Sequence, residues 1–281
     1  MAEWFLFLPQ IRMSTTDVVD RALAAEDAGF DGIAFIDHLV APGAPAQPLW
    51  EAMTIATWVA ARTRRLRIGH LVLCDAFRHP ALLAKQAVTL QEATGGRFEL
   101  GLGSGSVPAE LVQFGITEAI AAQRHTRMKQ TIDLLTGYWD PASEPELPPH
   151  PSVPIPLVIG GTGPRILELA REHATWWNLP ATHLDRLTDL AGRVDPARVS
   201  IQQMVAFVAP GADENAVRER AERRFGYLGG GLVCADAERL RAHFTELADR
   251  GAERFYVWFS DFADPKTLTA FGDSVIAGFP R

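Results

Sequence analysis

The sequence predicts a closed barrel of parallel strands, each followed by a helix, and three observations carry that prediction. Short apolar runs of strand length alternate with amphipathic stretches of helical period along the whole chain. Eight such strands can be counted, the number that closes a parallel sheet on itself. Two of them run directly into turns rich in glycine, serine and threonine, the usual opening of a crossover helix. The 281 residues suit a single domain spanning 1–281, since barrels of this kind commonly run that long undivided.

Residues 4–8 form the first strand, stopped by Pro9. Ser14 caps a helix whose apolar positions Val18, Val19, Leu23 and Ala24 recur at helical spacing before Gly29 ends it. Residues 32–36 are the second strand, 37–48 a proline-rich loop, and 49–61 a helix carrying Trp50, Met53, Ile55 and Trp58. The third strand is 66–73. The next helix, 82–93, is entered through Arg78-His79-Pro80 and closed at Gly95-Gly96, and 97–102 is the fourth strand. Residues 120–138 form a long helix. Residues 140–156 hold seven prolines and no hydrophobic period, so they form a stiff surface connection. Strands at 155–159, 174–179, 199–208 and 255–259 complete the set, with helices at 164–173, 184–191, 214–227, 236–249 and 268–276.

Composition narrows the partners. A formal net charge of −7 and the lack of any lysine or arginine block argue against nucleic acid or an anionic membrane. The basic cluster 62–67 sits at a helix end, where cations favour the dipole. Cys74 and Cys234 are too few for a disulfide framework and lack ligand spacing, which fits a reducing cytosol. The opening apolar run is too short for a signal peptide and no later run reaches transmembrane length, so a soluble, cytoplasmic protein is expected. The eight histidines are scattered without H-E-x-x-H, so no metal is expected, and Ser104 lacks the G-x-S-x-G frame of a hydrolase.

The chemistry of such a barrel gathers at the carboxyl ends of its strands, which singles out Pro9, Asp37-His38, Cys74-Asp75, Ser104 to Ser106, Gly160 to Thr162, Asn178 and Ser260-Asp261. The turn at Gly160, Gly161, Thr162 and Gly163, with Pro164 opening a helix, lets the backbone approach a ligand and presents free N–H groups to an anion. Gly101, Gly103, Ser104, Gly105 and Ser106, with Pro108 next, repeat the design. Neither turn is a dinucleotide fingerprint or a Walker loop. Each alone is also explained by turn conformation and capping; together they point to one phosphorylated ligand.

With these residues in place, the chain resembles the bacterial luciferase-like monooxygenase superfamily, and within it the branch that uses the deazaflavin coenzyme F420. The resemblance rests on 26-EDAGFDGIAFIDHL-39, 78-RHPALLAKQAVTLQEATGGRFELGLGSG-105, 156-PLVIGGTGPRILELAREHATWWNLP-180 and 250-RGAERFYVWF-259. It implies a TIM barrel whose mouth holds the deazaflavin or flavin ring, the phosphate tail lying on the two glycine turns. It also implies a bulge, often with a non-proline cis peptide, at the end of the third strand, placing Leu73, Cys74 and Asp75 against one ring face. Read on its own, Cys74 is equally a small buried hydrophobe. His38 is implied to face ring and substrate as a proton donor or acceptor, a task suited to an imidazole; capping the following loop is the plainer alternative. Asp37 is expected to orient the loop or His38. Glu110 either handles protons or a ring N–H, or serves the dipole of its helix. Asn178 is expected as polar lining. The chain departs from the sugar-phosphate dehydrogenase subgroup, which carries an acidic residue where Ser106 stands, and Gln130 replaces the acid of an Arg-x-x-Arg-x-x-Glu pattern begun by Arg124 and Arg127. The resemblance further implies a homodimer.

The function expected is hydride transfer between the deazaflavin and a small organic substrate, with His38 managing the proton. FMN-dependent monooxygenation on the same fold is the runner-up, and a non-catalytic flavin-binding member is a third reading. A Schiff-base aldolase is poorly supported, because Lys85, Lys129 and Lys266 all fall in helices or helix starts.

Overall fold

Parallel pairing joins every strand of the sheet in the computed structural model, which describes residues 2–280. The strands are β1 Glu3–Phe7, β2 Gly32–Phe35, β3 Arg67–His70, β4 Leu73–Cys74, β5 Leu100–Gly103, β6 Leu157–Gly160, β7 Trp176–Pro180, β8 Arg198–Phe207, β9 Leu232–Ala235 and β10 Arg254–Phe259. Their spatial order is β3-β2-β1-β10-β8-β7-β6-β5-β4. Because β3 and β4 are successive pieces of one stretch, and Ile68 bridges Phe98 in parallel, the two ends of this order meet and the sheet is nearly closed. The family of eight strand positions expected from the sequence is thus present.

Two departures from the sequence reading bear on the site. The third strand, expected from its apolar run as 66–73, breaks at Leu71-Val72, a non-proline cis peptide of the kind the resemblance implied for this strand end, two residues before the expected position. The break turns the chain across the barrel mouth, where Gly101 and Gly103 of β5 leave room for it. A Cβ on Gly101 would sit 1.8 Å from the His70 carbonyl oxygen, and one on Gly103 would sit 2.5 Å from Val72 Cγ2. The second departure is β9, absent from the sequence reading. It pairs with the upper half of β8 in the register Met204↔Leu232 to Phe207↔Ala235, beyond the point where β7 ends.

The pleat sends alternate side chains to opposite faces. Inside the barrel Phe5, Phe7, Ala34, Ile36 and Tyr256 form one cluster, while Trp4, Leu6, Ile33, Phe35, Phe255 and Val257 belong to the larger layer between strands and helices. The amino-terminal end is closed by Arg254, fully buried, which pairs with Glu99 at 2.5 Å and Glu3 at 2.5 Å and lies 4.0 Å over the Phe5 ring. That end is thus plugged by charge pairs, and the open end is the carboxyl end. Capping fixes the helices locally: Ser14 and Asp17 form a capping box, and Glu51 accepts from the N–H groups of Met53 and Thr54 to start the helix Ala52–Ala60, three residues after the expected position. Among the described residues no helix is long and apolar enough to cross a membrane.

Candidate active site

Three residues past the end of β2, His38 turns toward the short helix Pro108–Gln113, and its Nδ1 lies 2.9 Å from Glu110 Oε2. The other oxygen of Glu110 accepts from Leu39 N at 2.7 Å and Val40 N at 3.0 Å. Glu110 is buried and its two oxygens are both engaged. Nδ1 of His38 is therefore the donor in this bond, and Nε2 is the ring atom left to act. These bonds hold His38 and its loop in place, and Glu110 itself lines the cleft described below. Its place in the first helical turn, expected for the dipole, also serves this contact.

Asp37 holds a different piece. Its Oδ2 accepts from Cys74 N at 2.8 Å and from Arg78 at 2.5 Å, and its Oδ1 accepts from the second Arg78 nitrogen at 3.1 Å. Arg78 continues to Glu51 at 2.6 Å. This buried fork fixes the end of β2 to β4, so the carboxylate stitches the barrel rim. Burial pushes the Cys74 thiol up to about 11, against a weaker opposing bond from the Ala76 N–H, which keeps Cys74 a neutral wall.

The two glycine turns converge opposite. Gly105 has φ +86° and its Cβ position lies 3.2 Å from Cys74 Sγ; Gly161 has φ +127°. Arg124 ties the first turn by donating to the Ser104 carbonyl at 3.1 Å, and Trp177 ties the second by donating to the Gly161 carbonyl at 2.8 Å. The N–H groups of Gly105, Ser106, Val107, Thr162 and Gly163 donate to no backbone carbonyl among the described residues. Successive free N–H groups beside a positive-φ glycine form an anion nest.

Between these parts lies a cleft of about 280 Å³. Asp37, His38, Leu73, Cys74, Gly103, Ser104, Gly105, Ser106, Glu110, Gly160, Gly161 and Asn178 line it. Six other expected residues do not: Pro9, Ser260 and Asp261, singled out as strand ends, line a second cleft instead, and Asp75, Thr162 and Gly163 line neither. Asp75 turns away to Arg127 at 3.0 Å, and burial raises its pKa despite the Thr131 and Arg127 contacts. Thr162 and Gly163 stay in their turn outside the lining, Gly163 as the cap of the helix Pro164–His173. The wall facing the mouth is formed by Leu71 and Val72, two residues before the expected bulge. Gln202 on β8 was not expected; a polar residue at an inward register beside Asn178 and Ser200 is its only signal in the sequence. Asn178 is itself oriented by Ser200 Oγ, which donates to its Oδ1 at 3.2 Å.

A parallel βα barrel with a polar cleft and an anion nest at its carboxyl end is the architecture of an enzyme-type small-molecule site. The family model of luciferase-like monooxygenases matches residues 7–260, and the chain belongs to that family. It is 28% identical over 229 residues to an F420-dependent glucose-6-phosphate dehydrogenase of Nakamurella multipartita, covering 73% of this chain and 66% of that protein. It is also 28% identical over 166 residues to a counterpart of the same name from Amycolatopsis mediterranei, covering 55% of this chain and half of that protein's length, 50%. Among solved structures, an F420-dependent secondary alcohol dehydrogenase in complex with an F420-acetone adduct superposes with a TM-score of 0.84 at 17% identity, over 98% of both chains. That likeness is one of fold.

Proposed function

We propose that the protein is an oxidoreductase that transfers a hydride between coenzyme F420 and a small organic substrate. The observation that carries this reading is the His38–Glu110 pair at the edge of a cleft that also contains an anion nest. The names of the curated relatives support the cofactor. The residues present fit such a group: the free N–H groups of Gly105 to Val107, which line the cleft, suit a phosphate, and Gly160, with no heavy atom nearer than 3.9 Å to its Cβ position, leaves room beside them.

When bound, the deazaflavin supplies or accepts the hydride. Leu73 and Cys74, with Leu71 and Val72, form an uncharged wall that excludes water from one side of the cleft. Asn178 and Gln202 offer amide groups at the floor. His38 holds or moves the proton that accompanies the hydride at Nε2, and Glu110 fixes its tautomer and direction. Asp37 acts through the backbone, keeping Cys74 and the β2 end in register. A cytoplasmic homodimer acting on a small molecule completes the proposal; light scattering tests the dimer against a protomer of 30.8 kDa.

The test is turnover of purified protein with the deazaflavin and a panel of secondary alcohols, imines and enones, following the visible absorbance of the oxidised cofactor. His38→Asn should lower turnover about 10²–10⁴-fold while cofactor binding persists. No turnover with any of them, alongside oxygen-dependent turnover with reduced FMN, would give the site to monooxygenation instead.

A further inference from the structure

A second and larger cleft, about 760 Å³, opens at the same end of the barrel, where β1, β8 and β10 finish. Arg12, Arg220, Arg223 and Arg224 all line it, in a chain whose net charge is −7. Among the described residues, Arg12, Arg220 and Arg224 have no carboxylate within 4.0 Å, and Arg223 reaches Glu219 of its own helix at 3.9 Å. Asp261, the acid in the lining, is already occupied: Oδ1 accepts from Ala263 N at 3.1 Å and Oδ2 from Thr267 Oγ1 at 2.6 Å. The cleft is therefore a concentration of positive charge, with four guanidinium groups against the single carboxylate of Asp261 in the lining.

Three further features mark it as built. Arg224 is braced by the carbonyls of Phe259 at 3.2 Å and Ser260 at 2.8 Å and lies 3.3 Å over the Phe262 ring. Burial pulls its pKa down to about 10, partly offset by Asp261, which leaves it a cation at neutral pH. Arg12 and Phe262 both line the cleft with positive φ, 62° and 63°; with the adjacent Ala263 at 56° they are the positive-φ residues other than glycine among those described. Such conformations persist where the surroundings dictate them, and they cluster at ligand sites. Trp258 also lines the cleft, and its buried indole N–H has no acceptor.

This cleft and the one beside His38 share a wall. Ile36 and Leu71 face the first, Ile11 and Trp258 the second, and all four pack in the single cluster inside the barrel. We propose that the arginine cleft is an oxyanion subsite, and that it holds a carboxylate or phosphate of the substrate while the reacting carbon lies in the first cleft. The guanidinium forks of Arg12 and Arg220 supply donors matched to such a group. The assignment of the anion to the substrate rests on the hydride-transfer reading; the anion subsite itself does not.

The test is thermal unfolding of the purified protein in increasing inorganic phosphate and, separately, malonate, at constant ionic strength, for wild type and for an Arg12→Gln, Arg220→Gln double variant. Both arginines are exposed and lie outside the first cleft, so the variant should fold; Arg220→Gln alone serves as a second. A saturable rise in Tm is expected in wild type, with about tenfold or more anion needed in the variant. Because phosphate can also meet the free N–H groups of the first cleft, the arginine-dependent part of the response decides: a larger difference between wild type and variant with phosphate assigns a phosphate ester, and with malonate a carboxylate. Equal responses in wild type and variants would overturn the subsite, since a general salt effect does not depend on these arginines. Titration with the deazaflavin separates the two readings. Cofactor binding with no arginine-dependent anion response removes the subsite alone, whereas the converse removes the hydride-transfer reading and leaves the subsite.

Discussion

Replacing Glu110 by alanine removes three hydrogen bonds at once, to His38 at 2.9 Å, Leu39 at 2.7 Å and Val40 at 3.0 Å. Bonds to a charged group are worth about 1.5–3 kcal/mol each. Leu39 is exposed and Val40 partly so, and water can take up their N–H groups, so the net loss should be nearer ~3 kcal/mol than the sum. With a urea slope of about 1–3 kcal/mol/M, the unfolding midpoint should fall by about 1 M or more. Glu110→Gln separates position from tautomer. Its amide oxygen still accepts from the loop N–H groups, while its NH2 meets His38 Nδ1 and forces that atom to accept. Most of the stability should return, yet turnover should stay about 10²-fold or more below wild type. An alanine variant with the wild-type urea midpoint, or a glutamine variant with wild-type turnover, would refute the assigned role of this residue.

Gly101→Ala should cost about 3 kcal/mol or more, because the new Cβ would meet the His70 carbonyl at 1.8 Å; Gly160→Ala, with nothing nearer than 3.9 Å, should stay within ~1 kcal/mol of wild type in the same urea experiment and weaken cofactor binding instead. Asp37→Asn should lower stability by about 3 kcal/mol, since it leaves the largely buried Arg78 without its carboxylate on that side. Burial, only partly countered by the Ala52 carbonyl, holds the pKa of His70 at about 4, below the ordinary 6.5. The neutral ring is thus the native form. Its contribution is complete above pH 6.5 and is lost as pH falls from 6.5 toward 4, by on the order of 3 kcal/mol. Urea midpoints at pH 7.5 and 4.5 should show that drop in wild type and a smaller one in His70→Asn.

Much of the barrel was legible because its strands are apolar runs, the first stopped by Pro9, and its helices end at glycines such as Gly29. What escaped depends on contacts distant in sequence. Residues 232–235 follow three glycines and are too short to signal a strand; β9 forms because the long β8 outruns β7 and leaves an edge to pair. The resemblance implied a break with a cis peptide at the end of the third strand but placed it two residues late, because the apolar run carries no local marker for it; its counterpart is the glycine pair Gly101 and Gly103 some thirty residues on, which the sequence reading assigned to a phosphate turn. At the site, the strand ends located His38, Cys74, Ser104 and Asn178 by position. Roles were harder to read than places. Glu110 and Asp37 are defined by bonds spanning 72 and 41 residues, to His38 and Arg78, and Asp75 leaves the cleft because Arg127 lies on the other side. Strand-end position also located Pro9, Ser260 and Asp261 of the second cleft, but not its arginines: Arg12 and Arg220 are brought together only by closure of the barrel.

The most direct test of the central claim is a fluorescence titration of purified protein with coenzyme F420 and, separately, FMN, in wild type and His38→Ala. Expected is saturable, tight binding of the deazaflavin to both proteins, much weaker binding of FMN, and turnover in wild type alone. Tight FMN binding without deazaflavin binding would contradict hydride transfer and favour the monooxygenase reading; binding of neither would make the two glycine turns purely structural.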